Sequence, residues 1–184
     1  MPDDDDLLRV LSEIQRRGAI GRSVLSEQVA HAESFVRALP PFARRIVDLG
    51  SGGGLPGLVI AHRRRDLHVV LIERRAKRVD LLRYGVRALQ LDDTVQVAEG
   101  DAVELGASGG YPADVVTARS YGPVRVVLET AAPFLQAGGV VLVSEPPGQV
   151  RDAGVAGASS GFQDAGVSDG IHRFERFHVE HSTL

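Results

Sequence analysis

A chain that sets several continuous apolar runs apart by helix-length spacers has few ways to fold, and the first of these runs constrains it most. Arg45-Ile-Val-Asp48-Leu-Gly50-Ser-Gly52-Gly-Gly54-Leu55-Pro56-Gly57 reads as a short strand that ends on a carboxylate and opens into a glycine-rich turn. Alternating glycines belong where the backbone turns sharply and where a ligand must come closer to the main chain than a Cβ allows. Pro56 fits the first turn of a helix, where a missing N–H costs nothing. Strand, glycine turn and helix together form the opening unit of a Rossmann-like sheet with a nucleotide-type ligand at the turn.

The rest of the chain repeats the theme. The patterning predicts strands at 46–49, 68–73, 94–98, 113–118 and 139–144, with helices at 56–64, 76–90 and 123–135 and a short turn or helix at 101–105. Ile46-Val47, Val69 to Ile72, Val115-Val116 and Val140 to Val143 are apolar without strict alternation, as strands covered on both faces must be. Helix-length spacers imply parallel pairing through right-handed crossovers, hence a doubly wound α/β sheet. Ahead of it, apolar residues recur at helical spacing over 6–17, with Asp6 as N-cap and Gly18 as stop, and over 24–39, closed by Pro40-Pro41. We read residues 1–43 as a helical N-terminal extension and 44–184 as the main domain. After Pro146-Pro147 a Gly-, Ala- and Ser-rich stretch to about residue 169 reads as a mobile loop, and Phe174, Phe177 and Val179 suggest one closing strand.

Composition excludes several chemistries. The 184 residues, 43% of them hydrophobic, suit one domain with a sizeable core. Without cysteine there are no disulfides, thiolate zinc sites or thiolate nucleophiles. None of the six histidines sits at metal-ligand spacing, so no metal is expected. No apolar run approaches the roughly 20 residues that span a bilayer, and the N-terminus opens on Asp3 to Asp6, so a soluble cytoplasmic protein is expected. Net charge is −3, yet residues 37–87 hold twelve Arg or Lys against Asp48, Asp66, Glu73 and Asp80. This basic segment is either a set of solvated helix faces or a polyanion-facing surface.

Within the sheet, Asp48 with Gly50, Gly52 and Gly54 forms Asp-x-Gly-x-Gly-x-Gly, which differs from the dinucleotide fingerprint Gly-x-Gly-x-x-Gly. A pyrophosphate avoids a neighbouring anion, whereas the amino and sulfonium groups of S-adenosylmethionine are cationic, so the acid favours the latter. Glu73, ending the second strand, is placed to accept ribose hydroxyls, an acid that dehydrogenases share. Asp101 follows the third strand, either near an adenine or as the N-cap of a short helix. Arg119 ends the fourth strand at the edge where ligands of open α/β sheets bind.

These residues resemble a family. Val47 to Gly57, then Leu71-Ile72-Glu73 with Lys77-Arg78-Val79-Asp80-Leu81-Leu82-Arg83, then Asp114 to Arg119, are similar to the bacterial small-subunit rRNA guanine-N7 methyltransferases, the RsmG or GidB family, over roughly residues 44–145. The resemblance implies a class I methyltransferase fold, S-adenosylmethionine as cofactor, and the small ribosomal subunit or its rRNA as partner. It also implies cofactor contacts from Gly50, Leu55, the Ala102-Val103 backbone near the adenine, and Arg119 beside the methyl donor. The chain departs from the family at Glu145-Pro146-Pro147-Gly148, where a Lys-Gly is common, and an acid there repels phosphate. Methylation of a small molecule or another RNA, with segment 148–170 as a lid, and a non-catalytic binding module are the alternatives.

Overall fold

A computed structural model describes residues 4–144 and 160–177. Its centre is a seven-stranded sheet in the order β3-β2-β1-β4-β5-β7-β6. The strands are β1 (Arg45–Leu49), β2 (His68–Glu73), β3 (Val95–Glu99), β4 (Ala113–Ala118), β5 (Leu135–Ser144), β6 (Phe162–Ser168) and β7 (Ile171–Arg176). Neighbours β3 to β5 pair in parallel, while β7 runs antiparallel to both β5 and β6. The helices are α1 (Asp4–Arg16), α2 (Leu25–Ala38), α3 (Gly57–Arg63), α4 (Ala76–Ala88), α5 (Ala102–Ala107) and α6 (Val124–Ala131).

Successive residues of each central strand feed opposite faces of the sheet. Ile46, Val69, Leu71, Val115, Val140 and Leu142 join one core, with Leu7, Val10, Leu11 and Ile14 of α1 and Phe35 of α2. Val47, Leu49, Ile72, Val116, Val141 and Val143 join the other, with Val127 and Leu128 of α6. That double burial is why these strands read as unbroken apolar runs. Helices α1 and α2 contribute to the first of these cores. Among the described residues no helix is long and apolar enough to cross a membrane.

Several boundaries differ from the expectations. Helix α1 starts at Asp4, so Asp4, Asp5 and Asp6 fill its first turn, where carboxylates suit the helix dipole, and Asp6 is not the cap. Pro56 lies just outside α3, after a cis Leu55–Pro56 bond. Helix α6 stops at Ala131 and passes into a 3-10 turn, Ala132–Phe134, where Pro133 lacks the N–H that would continue an α-helix. Strand β5 begins four residues early, with a register irregularity against β4. The closing element is a hairpin, β6 and β7, so part of the expected 148–169 loop is strand. Glu145 to Gly148, most of the Gly/Ser-rich stretch, and Val179 lie outside the described residues.

Candidate functional site

The order β3-β2-β1-β4 reverses direction of growth between β1 and β4, and the carboxyl ends of these strands open on one edge, the switch point at which open α/β sheets bind ligands. The segments after β1, β2, β3 and β4 carry the glycine turn, Arg74 to Arg78, Gly100-Asp101 and Arg119 to Tyr121 respectively. They enclose two adjoining clefts.

The first, about 340 Å³, is walled by Gly50, Glu73, Asp101, Ala102 and Tyr121, with Arg74, Arg75 and Arg78 along one rim. Glu73 is 5% exposed. Its Oε2 accepts the Gly52 amide at 3.1 Å and its Oε1 accepts the Arg75 amide at 2.9 Å. Each carboxylate oxygen keeps a further lone pair, so the group binds the glycine turn to the end of β2 and can still accept two hydroxyls. Asp101 Oδ1 accepts the Val103 amide at 2.9 Å and caps α5, while Oδ2 stands 3.8 Å from Arg74. The capping role and a place on the cleft wall therefore coexist. Gly50 has φ +62°, and a Cβ there would lie 2.8 Å from the Tyr121 ring, so only glycine lets that ring close against the turn. Burial pushes the Tyr121 hydroxyl above its ordinary pKa.

The second cleft lies between the glycine turn and the segment joining α1 to α2. Gly52, Leu55 and Arg119 face it together with Ala19, Ile20 and Gln28. Arg119 Nη2 donates to Gln28 Oε1 at 3.2 Å. Its Nη1 is buried and has no hydrogen-bond partner. Burial pulls the Arg119 guanidinium below its ordinary pKa, and the Asp48 charge opposes this.

Three expected cofactor residues do not reach these walls. Asp48 is buried beneath the turn, where Thr117, its register partner on β4, donates to Oδ1 at 2.6 Å. Oδ2 accepts no well-formed hydrogen bond. Burial pushes the carboxyl up to about 6, against the pull of Thr117, Ser51, the Gly57 amide and Arg119. The acid thus braces the turn from below. Gly54 packs on Leu58 of α3. Val103 points to solvent, with its amide taken by Asp101.

The basic segment divides in two. Arg63 pairs with Asp4 and Glu33, Arg64 with Asp66, and Arg65 donates to the Leu89 and Gln90 carbonyls, so these three hold the fold together. Arg74, Arg75 and Arg78 flank the first cleft. Gln28 and Tyr121 were not singled out from the sequence. Gln28 meets Arg119 across 91 residues, a separation that leaves no local signal.

Solved structures place this arrangement in a class. A putative O-methyltransferase from Klebsiella pneumoniae superposes with TM-score 0.67 at 19% identity, over 97% of this chain and 92% of its own. A methyltransferase from Geobacter sulfurreducens gives 0.66 at 18%, over 97% and 91%. The fold is therefore the Rossmann-like fold of class I methyltransferases. The family model "rRNA small subunit methyltransferase G" matches residues 21–149. Ribosomal RNA small subunit methyltransferase G of Acidiphilium cryptum is 32% identical over 150 residues, 82% of this chain and 66% of the relative. That of Salinispora arenicola is 43% identical over 103 residues, 54% of this chain and 43% of the relative. The chain belongs to the small-subunit rRNA methyltransferase G family, and it spans between about two fifths and two thirds of the length of these relatives.

Proposed function

We propose that the protein is an S-adenosylmethionine-dependent methyltransferase acting on guanine N7 of small-subunit rRNA. The observation that carries this reading is the pair of joined clefts at the switch point, in which Glu73 is hydrogen-bonded to the glycine turn and Arg119 stands across from it with a buried, unpartnered Nη1. The residues fit the cofactor: the turn lets a ligand lie on bare backbone, Glu73 offers acceptors for two ribose hydroxyls, and Nη1 offers a donor for an anionic end. The cofactor supplies an electrophilic methyl group on a sulfonium.

Guanine N7 holds an accessible lone pair in the neutral base, so the transfer needs alignment more than proton removal. The site agrees with that demand. Asp48, the carboxyl beneath the turn with a pKa near neutrality, is 1% exposed and pointed at Thr117, and it cannot reach an acceptor. The chain's own contribution is orientation, worth several orders of magnitude in effective concentration, and a fixed field at the strand ends. Arg74, Arg75 and Arg78 on the rim supply positive charge for an RNA backbone.

Incubation with methyl-labelled S-adenosylmethionine and undermethylated small ribosomal subunits tests the proposal, with label expected at guanine N7. Absence of label, with an active control enzyme working on the same subunits, would redirect the search to a small-molecule or other RNA acceptor.

A further inference from the structure

The α1–α2 connection crosses the glycine turn closely enough that Gly53 has no room for a side chain: a Cβ there would lie 2.8 Å from the Ala19 carbonyl and would collide with Ile20. Two glutamines hold this strap. Gln15 Nε2 donates to the Gly21 and Ser23 carbonyls at 2.6 and 3.0 Å. Gln28 Nε2 donates to the same two carbonyls at 3.0 and 3.2 Å. The duplication has a consequence for orientation. Both amide hydrogens of Gln28 are committed to carbonyls, so its Oε1 can only face the other way, and it accepts from Arg119 Nη2. Gln28 is 8% exposed, so water does not easily replace either contact. Among the described residues the side-chain bonds of Gln15 go to the strap and that of Arg119 goes to Gln28.

We infer that Gln28 is a positioning residue: held by the strap, it orients the Arg119 guanidinium so that the unpartnered Nη1 meets the carboxylate of the cofactor's amino-acid end. The inference rests on the S-adenosylmethionine reading. Arg119 supplies the charge and Gln28 supplies its direction. A guanidinium lacking this acceptor loses its fixed orientation and must be ordered again on binding, which weakens a charge-assisted hydrogen bond.

The test is calorimetric titration of the full chain with two ligands, S-adenosylhomocysteine, which carries the amino-acid end, and methylthioadenosine, which lacks it. Gln28→Met is expected to weaken S-adenosylhomocysteine about tenfold and to leave methylthioadenosine within about twofold. Arg119→Met shows the same discrimination, and the double variant is no weaker than Arg119→Met alone, because the two residues act as one unit. Gln15→Met, which loosens the same strap without touching Arg119, leaves both ligands within about twofold. Equal loss of both ligands in Gln28→Met, additive losses in the double variant, or a Gln15→Met effect as large as that of Gln28→Met would overturn the inference, since each marks a purely structural role. Should Gln28→Met fail to fold, Gln28→Glu carries the comparison: its added anion competes with the ligand's carboxylate, so S-adenosylhomocysteine weakens while methylthioadenosine does not. Equal affinities there refute it too. A wild-type chain that binds neither ligand removes the cofactor reading itself, a result distinct from all of these.

Discussion

Asp48→Asn turns the buried carboxyl beneath the glycine turn into a measurable pH dependence. The folded-state pKa of Asp48 is raised to about 6 from an ordinary 3.8, chiefly by burial. The folded chain therefore holds this proton more tightly than the unfolded chain, and its stability falls as pH rises through this window. At about 1.36 kcal/mol per unit, the full cost of ionising Asp48 in place is about 3 kcal/mol, reached above pH 7. Near pH 5 roughly half of it is already felt, because the unfolded carboxyl has ionised and the folded one has not. Asparagine keeps an acceptor for Thr117 and cannot ionise, but it sets an N–H₂ where Oδ2 has no partner, at a pH-independent cost of about 1–3 kcal/mol. The absolute difference between the two proteins is thus small. Its pH dependence is not: from about pH 5 to about pH 8 the variant gains about 1.5 kcal/mol on the wild type, or about 3–6 °C in Tm for a chain of this size. Paired calorimetric melts at the two pH values read it directly. A gap that stays constant, or that shifts toward the wild type as pH rises, would refute the assignment of a raised pKa to this carboxyl.

Other perturbations address the walls of the clefts. Glu73→Gln keeps the shape but removes the charge that accepts the Gly52 and Arg75 amides, and titration with S-adenosylhomocysteine is expected to show a loss of about tenfold or more. Asp101→Ala removes the α5 cap bond to Val103 and should cost about 1 kcal/mol in a denaturant melt, whatever it does to ligand binding. Gly53→Ala forces the strap off the Ala19 carbonyl, with an expected cost of about 1–3 kcal/mol. An unchanged melting temperature in that variant would mean that the strap is not seated on the turn.

The strand and turn chemistry of the central sheet was legible because each signal was local. Five strands, the glycine turn, and the acids at the ends of β1, β2 and β3 all follow from runs of fewer than fifteen residues. Strand β6 was missed because only Phe162 of its residues is buried, and Gln163 to Ser168 are exposed on a sheet edge, so no apolar alternation marks it. The burial of Asp48 was not legible for a related reason. Its place before the glycines suggested a charge offered to a ligand, but its orientation is fixed by Thr117, 69 residues away, and by the lack of room for a side chain at Gly57, where a Cβ would lie 2.8 Å from Oδ2. Chain order identifies which residues reach the edge of the sheet; cross-strand register decides which of them face inward.

The same logic explains why the N-terminal helices belong to the site. The apolar faces of α1 and α2 pack into the core on one face of the sheet. Val10 and Ile14 meet Gly85 of α4 closely, and the loop they launch lies on Gly53 and, through Gln28, against Arg119. Arg119 alone, at the end of β4, would be a flexible charge beside a cleft. With α2 packed on α3 and β7 its acceptor is held in place, and Arg37 of α2 bonds Asp169 in the β6–β7 turn at 2.9 Å, so the closing hairpin stabilises the helix that aims the arginine. On the proposed reading, in which the cofactor engages Arg119, its affinity and the docking of residues 4–39 are coupled, because a ligand that meets Arg119 in its fixed orientation stabilises the docked helices by the same free energy that docking lends to binding.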